Sequence, residues 1–127
     1  MLINTPISLG ELVDKISILM IKKTNITDSI KLKLVAKELE FLQKTLKKYI
    51  SDDEINEFLQ KLVNINSKLW NIEDDIRECE RNKSFDQTFI DLARSVYFTN
   101  DERAKVKNDI NKTFGSELVE VKSYKEY

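Results

Sequence analysis

The sequence has few of the residues that usually carry catalytic chemistry or covalent cross-links. It contains no histidine, one cysteine, one proline and two glycines among 127 residues. The lack of histidine excludes histidine-based acid–base catalysis and nucleophilic triads that use histidine. Two isolated glycines exclude a glycine-rich phosphate loop, and one cysteine forms neither an internal disulfide nor a thiolate metal site. We therefore expect no metal, no cofactor and a reducing environment.

Long apolar runs and a strong charge of one sign are also missing. No segment approaches the ~18 uncharged apolar residues that a membrane span needs. Residues 1–10 lack the basic start and apolar run of a secretion signal. The net charge of −1 argues against a general nucleic-acid binder. We expect one cytoplasmic domain over residues 1–127, with no membrane and no general nucleic acid among its partners.

What the sequence does contain is helical periodicity. Apolar residues alternate steps of three and four over Ile55–Cys79, which is a heptad seam of the coiled-coil type. A second seam with the same steps covers Leu32–Tyr49. Because only Ile50–Asp53 separates the two seams, we expect a long antiparallel helical hairpin. Its longer helix, from Asp52 to about Arg81, forms the spine of the predicted fold.

Capping boxes, in which a Ser or Thr precedes a Glu or Gln by three residues, predict where helices begin. Four are present: Ser8 with Glu11, Ser51 with Glu54, Ser84 with Gln87, and Thr99 with Glu102. The last two predict separate fourth and fifth helices, and Gly115 ends the fifth in the left-handed conformation. The fold class is therefore all-α, a bundle of about five helices built on the long hairpin, with a C-terminal tail from Ser116.

A row of polar residues flanks the apolar stripe of the predicted fifth helix. Arg103, Lys107 and Asn111 are spaced by four and share one face. Neither cation has a carboxylate three or four residues away, and like charges at this spacing repel. The acidic partner therefore comes either from elsewhere in the fold, as an internal ion network, or from a ligand. The helix start after Asn100 adds free N–H groups, so the ligand alternative is an anion site that Arg94 also joins.

The second half of the spine carries the candidate internal partners. Asn66, Glu73 and Glu80 recur every seven residues beside the seam, and Arg77 lies between the two carboxylates. This arrangement predicts a polar network that supplies the missing acidic partners or clamps the helix surface. Trp70 either packs in the core or forms the wall of a pocket.

Two pairs of carboxylates raise the alternative of metal-dependent catalysis. Glu11 with Asp14, and Asp75 with Glu78, each lie three residues apart on one helical face. Helical nucleotide pyrophosphohydrolases hold magnesium against phosphates with such pairs. Glu11 already has a role in a capping box, and the other pair points away from the seam. We therefore expect no metal site at either pair.

Three stretches resemble a known family. They read PISLGELVDK from Pro6, LWNIEDDIR from Leu69 and LARSVYFTNDERAKVK from Leu92. In these motifs the chain resembles a family of short uncharacterised proteins from bacteria and their phages, a domain of unknown function. The resemblance covers nearly the whole chain and implies a single self-contained domain. It implies no activity, substrate or catalytic residue.

The sequence thus favours a small binding or interaction module that recognises an anionic group. Its partner is a protein or an anionic small molecule, and a homodimer through residual apolar surface on the spine or the tail stays open. The alternative is a small helical enzyme acting on a phosphorylated or otherwise anionic small molecule. In that case Arg94, Arg103 and Lys107 neutralise charge and Glu73 acts as acid or base.

Overall fold

The computed structural model describes the whole chain, Met1–Tyr127, and contains four α-helices and no strand. The helices are α1 (Leu9–Asn25), α2 (Ser29–Lys47), α3 (Asp52–Arg81) and α4 (Gln87–Phe114). The all-helical class is therefore confirmed, with four helices in place of five. The residues after Gly115 form a tail without regular secondary structure. None of the four helices combines the length and the apolar character that a membrane span requires.

Two capping boxes begin helices as predicted. The hydroxyl of Ser8 accepts the backbone N–H of Glu11 at 3.1 Å, at the start of α1. At the start of α3, Ser51 accepts the N–H of Glu54 at 3.4 Å and donates its own proton to the Glu54 carboxylate at 2.9 Å. These bonds satisfy N–H groups that have no partner inside the helix, which is why each helix begins there.

The two ends of α4 show one wrong prediction and one confirmed one. Ser84 does not cap the helix; Asp86 does, by accepting the backbone N–H of Phe89 at 3.3 Å. At the other end, Gly115 has φ 66° and ψ 42°, and α4 stops at this left-handed residue as expected.

The predicted fourth and fifth helices are one continuous helix, so the predicted break at Thr99 is wrong. Thr99 is only 2% exposed and lies in the interior of α4. It falls on the same face as the apolar residues Val96, Val106 and Ile110. The helical spacing of the buried residues therefore continues unchanged on both sides of Thr99. No proline or glycine lies within α4 to interrupt the helix.

The central helix is α1, which contacts α2, α3 and α4. Leu12 and Ile21 are nine residues apart, hence on opposite sides of α1, and both are buried. Because α1 buries apolar residues on more than one side, α2 packs on α1 and shares almost no contacts with α3. The predicted hairpin of α2 and α3 is therefore not confirmed.

The helices that fold back on each other are α3 and α4. Phe58 near the start of α3 packs edge-on against Phe114 at the end of α4, with ring centroids 5.9 Å apart, so the pair is antiparallel. The seam of α3 is buried as predicted, since Ile55 and Leu62 are 1% and 0% exposed. None of the large apolar side chains of α3 is fully exposed.

Candidate functional site

A cluster of polar and charged side chains fills the space where α1, α3 and α4 meet. The carboxylate of Asp14 in α1 is fully buried at its centre. Arg103 in α4 donates two hydrogen bonds to it, from Nε to Oδ1 at 2.9 Å and from Nη2 to Oδ2. The hydrogen bonding to Asp14 raises the pKa of Arg103 above its ordinary value. Two-point arginine–carboxylate pairs are among the strongest polar contacts in proteins, so this pair fixes α1 against α4.

The same carboxylate is also held from α3. Asn66 donates from Nδ2 to Oδ1 of Asp14 and to the Ser17 hydroxyl, both at 2.8 Å. Ser17 in turn donates to the backbone carbonyl of Asp14 at 2.6 Å. A buried carboxylate is costly unless it is paired and hydrogen-bonded. Asn66 and Arg103 meet that requirement, and they join three helices at one point.

Lys107 is buried next to this pair. Its Nζ lies 2.8 Å from Glu11 and 3.0 Å from Glu120 of the tail, and 4.0 Å from Asp14. Burial alone lowers the pKa of Lys107, but pairing with Glu11 and Glu120 and the charge of Asp14 outweigh it, so the pKa is raised. Lys107 therefore remains charged, and carboxylates of the fold already surround it.

Asn111, one turn after Lys107, ties the start of α1 to α4. Its side-chain oxygen accepts the backbone N–H of Gly10 at 2.7 Å, and the residue is only 2% exposed. A Cβ atom on Gly10 would lie 2.4 Å from the carbonyl oxygen of Lys107, so only glycine permits this approach of the two helices. Asn111 thus contacts backbone where the sequence predicted a ligand contact.

The acidic partners that Arg103 and Lys107 require are present inside the fold. They are Asp14, Glu11 and Glu120, from α1 and the tail. The internal network is therefore the alternative that the contacts support for Lys107. The sequence offers one clue to Asp14, which lies within the largely apolar stretch LVDKISIL, where a buried carboxylate needs a partner. It offers no comparable clue to Glu120.

The predicted partners on α3 do not reach this cluster. Glu73 lies 3.7 Å from Arg77, and Glu80 pairs with Lys83 at 3.3 Å; all four side chains are at least half exposed. The predicted bracketing of Arg77 by Glu73 and Glu80 is thus half right. Of Asn66, Glu73 and Glu80, only Asn66 is buried and contacts α1 within the cluster, through Asp14 and Ser17.

The predicted helix start at Asn100 does not exist. Because α4 is continuous, Asn100 lies in mid-helix, and its backbone groups belong to the helix. Arg94, nine residues before Arg103, lies on the opposite side of α4. It is exposed and stacks over the ring of Phe98, with its guanidinium carbon 5.9 Å from the ring centroid. Arg94 therefore does not share a site with Arg103.

Three of the four carboxylates considered as metal ligands are engaged in ion pairs. Glu11 and Asp14 each face a cation of α4, as described above. Glu78 accepts a hydrogen bond from Nε of Arg81 at 2.8 Å, which with the charge of Arg81 lowers the pKa of Glu78. Asp75 is exposed and has no partner within the fold.

An open cleft of about 510 Å³ lies between α1, α3 and α4, beside the buried cluster. It brings together several residues that the sequence singled out. Its lining comprises Ile18, Ile21, Asn66, Leu69, Trp70, Glu73, Asp74, Arg77, Asn100 and Arg103. Trp70 is half-buried and lines this cleft, while Arg103 connects the cleft to the buried Asp14. Four of the lining residues are apolar and six are polar or charged, so the cleft combines apolar walls with converging polar groups, as small-ligand sites do.

The sequence matches one family over residues 3–127. The chain belongs to DUF6165, a family of unknown function. The matched range includes both the buried cluster and the cleft. No curated protein and no solved structure matches this DUF6165 chain.

Proposed function

We propose that this DUF6165 protein is a small binding module, and that its cleft takes an anionic group of a small molecule or of a partner protein. The proposal depends on one observation, the hydrogen bonding of the Arg103 guanidinium. Asp14 holds its Nε and Nη2, whereas Nη1 makes no hydrogen bond within the protein, and the residue lines the cleft. A guanidinium that is already held in place loses little conformational freedom when it binds an anion.

Arg77, Asn100 and Trp70 support an anionic ligand with a flat or apolar body, beside a part of the lining that contains the carboxylates of Glu73 and Asp74. Arg77 is 71% exposed and pairs with Glu73 at 3.7 Å only, so an incoming anion can replace this weak partner. Asn100 adds an amide donor, and Trp70 offers an aromatic wall. The proposed site thus keeps Arg103 and Asn100 from the sequence-based set.

The same cleft supports a second candidate, an enzyme acting on a phosphorylated or otherwise anionic small molecule. Glu73 lines the cleft with about half of its side chain exposed, where it can exchange a proton with a ligand. Arg77 and Arg103 would neutralise developing negative charge. Turnover of a phosphorylated compound that Glu73→Gln abolishes without weakening binding would decide for the enzyme.

The setting of the protein is part of the proposal. Cys79 is free and half-buried, which suits a reducing compartment such as the cytoplasm. The motif resemblance supports the proposal of a bacterial or phage origin. We also propose a homodimer through the tail, because its apolar side chains Val121 and Tyr124 are 86% and 79% exposed. Light scattering of the purified protein measures the oligomeric state directly.

The test of the binding site is a thermal-stability assay with inorganic phosphate, pyrophosphate and a panel of phosphorylated small molecules. A ligand that binds only the folded state stabilises it by about 2.7 kcal/mol at a hundred times its Kd. We expect a rise in Tm for the wild type that Arg77→Ala and Asn100→Ala abolish. Both residues lie outside the buried hydrogen bonds of Asp14, so their variants keep the fold.

Arg81→Ala is the matched control. Arg81 is exposed, lies on the same helix as Arg77 and pairs with Glu78, but it does not line the cleft. Its variant should retain the full anion response of the wild type. Equal responses of Arg77→Ala and Arg81→Ala, or a wild type that is indifferent to every anion, would contradict the proposed site.

A further inference from the structure

The C-terminal tail, residues 116–127, buries a charge and exposes its apolar side chains. Of residues 117–127, Glu120 is the only one that is not exposed. Val119 and Val121, on either side of it, are 56% and 86% exposed. Folding usually places apolar groups inside and leaves carboxylates in water. The ion pair of Glu120, rather than apolar burial, is therefore what attaches the middle of the tail to α4.

Few polar contacts hold the tail in place. Glu120 lies 3.0 Å from Nζ of Lys107, and the hydroxyl of the last residue, Tyr127, donates to the carboxylate of Asp101. No backbone N–H of residues 117–127 donates a hydrogen bond to another backbone group. Segments with an exposed backbone and few buried contacts open at a small cost in free energy. These features are those of a strap that opens while the helices stay folded.

Glu120 covers hydrogen-bond donors of α4 that have few other acceptors. The ammonium group of Lys107 has three N–H donors and no acceptor. Glu11 lies 2.8 Å from its Nζ, whereas Asp14, at 4.0 Å, is beyond hydrogen-bonding distance. One turn further along the same face, Nδ2 of Asn111 is buried and has no hydrogen-bond partner. Opening of the strap therefore leaves donors of Lys107 and Asn111 without an acceptor.

We propose that the tail is a strap over an oxyanion-binding position formed by Lys107 and Asn111, and that Glu120 occupies this position in place of the phosphate or carboxylate group of a ligand. Glu120 lies there although Glu11 is also close to Lys107, so the position accepts a further negative charge. Lys107 and Asn111 do not line the cleft, so this position is separate from the site proposed above.

The alternative is that Glu120 is a permanent part of the buried network. A permanent partner is expected to satisfy the donors around it, because an unpaired buried donor is costly. Nδ2 of Asn111 stays unpaired while Glu120 is in place. An oxyanion that is not tied to the tail can move to where Lys107 and Asn111 both reach it, which favours a replaceable Glu120.

The first experiment measures how fast an amine-reactive acetylating ester modifies Lys107 in the full-length protein, with peptide mass spectrometry to locate each modified lysine. Lys107 is buried, so its acetylation requires the strap to open. Glu120→Gln should raise the rate at Lys107 by about tenfold or more, because a partly buried ion pair no longer opposes opening. The rate at Lys112, which is exposed, should not change.

Glu117→Gln is the matched control, because Glu117 is an exposed carboxylate of the same tail outside the pair with Lys107. It should acetylate as the wild type does. Tyr127→Ala detaches the other end of the strap and leaves the carboxylates around Lys107 in place, so it should also raise the rate. The proposal is overturned if Glu120→Gln leaves Lys107 protected, or if Tyr127→Ala does not share the rise.

The second experiment adds pyrophosphate or citrate to the Glu120→Gln protein. At ten times its Kd, a bound anion should slow the acetylation of Lys107 by about tenfold. Sodium chloride at the same ionic strength should not slow it. Protection should persist when Arg77→Ala is added, since Arg77 belongs to the cleft alone. Failure of both anions to protect Lys107, equal protection by chloride, or loss of protection in Arg77→Ala would overturn the proposal.

Asn111→Asp tests the second donor of the position. The substitution keeps an oxygen for the backbone N–H of Gly10 and removes the Nδ2 donor. Added to Glu120→Gln, it should abolish the protection of Lys107 by pyrophosphate, and circular dichroism verifies that the helices remain. Undiminished protection in this variant would overturn the role of Asn111 and with it the proposed position.

Discussion

The protein contains two kinds of ion pair, exposed pairs within one helix and a buried pair between two helices. Along the exposed surface of α3, ion pairs join residues three or four positions apart, such as Glu73 with Arg77. Between α1 and α4, the pair of Asp14 and Arg103 joins residues 89 positions apart, and the carboxylate is fully buried. The first kind follows from spacing on one helix, whereas the second exists only because the helices pack together.

The two kinds differ in what they contribute to the fold. Exposed pairs on one helix contribute under ~1 kcal/mol, because water competes for both charges. Removal of one partner from a buried pair costs roughly 3–5 kcal/mol, because the other charge stays buried without compensation. The buried cluster therefore determines how α1, α3 and α4 are placed, and the exposed pairs of α3 have little influence on it.

The largest effect is expected for Asp14→Ala. The substitution leaves the Arg103 guanidinium and the Asn66 amide without their shared acceptor. The free energy of unfolding should fall by about 3–5 kcal/mol, a large part of the ~5–15 kcal/mol of a typical domain. Urea unfolding followed by circular dichroism measures the loss.

Glu73→Ala is the matched control, because it breaks an exposed ion pair whereas Asp14→Ala breaks the buried one. It removes the carboxylate of the Arg77 pair, whose side chains are both at least half exposed. The expected loss is under ~1 kcal/mol. Similar losses in Asp14→Ala and Glu73→Ala would show that the buried cluster has no special role in stability.

Much of the fold could be predicted from local patterns. The helix starts at Ser8 and Ser51, the end at Gly115 and the buried seam of α3 all depend on residues within one or two turns. The break predicted at Thr99 was wrong, because a capping sequence begins a new helix only where the preceding helix has already ended. The buried face of α4 continues through Thr99, and the packing of that face determined the outcome.

The candidate site was predictable only in part, for the same physical reason. The lack of local partners for Arg103 and Lys107 correctly indicated acidic partners elsewhere, in the fold or in a ligand. Spacing does not tell which carboxylate arrives from another helix, so Asp14 and Glu120 required the structure. The arrangement of α2 on α1 was equally nonlocal, because it depends on which sides of α1 are apolar.

A smaller loss of stability is expected for a substitution at Gly10, where the backbones of α1 and α4 approach each other. In Gly10→Ala, the new Cβ would lie 2.4 Å from the Lys107 carbonyl oxygen, so α1 and α4 must move apart. Overpacking of this kind costs about 1–3 kcal/mol. Thr113→Ala, at an exposed position of α4, should change stability by less than about 0.5 kcal/mol. A neutral or stabilising Gly10→Ala in urea unfolding would contradict the close approach of the two helices.

The smallest effect concerns alkaline pH and the charge of Lys107. Its pKa is raised in the folded protein, so folding favours its protonated form. The resulting stabilisation is complete below the unfolded pKa of about 10.4, and it is lost as the pH rises through the folded value.

The measurement compares urea midpoints between about pH 9 and pH 12. It uses a Tyr127→Phe background, because the hydrogen bond to Asp101 raises the pKa of Tyr127 to about 12 and the same window would include its titration. In that background, Lys107→Met should lose less stability with rising pH than its parent. Parallel curves for the two proteins would mean that the charge of Lys107 does not hold α4 to α1 and the tail.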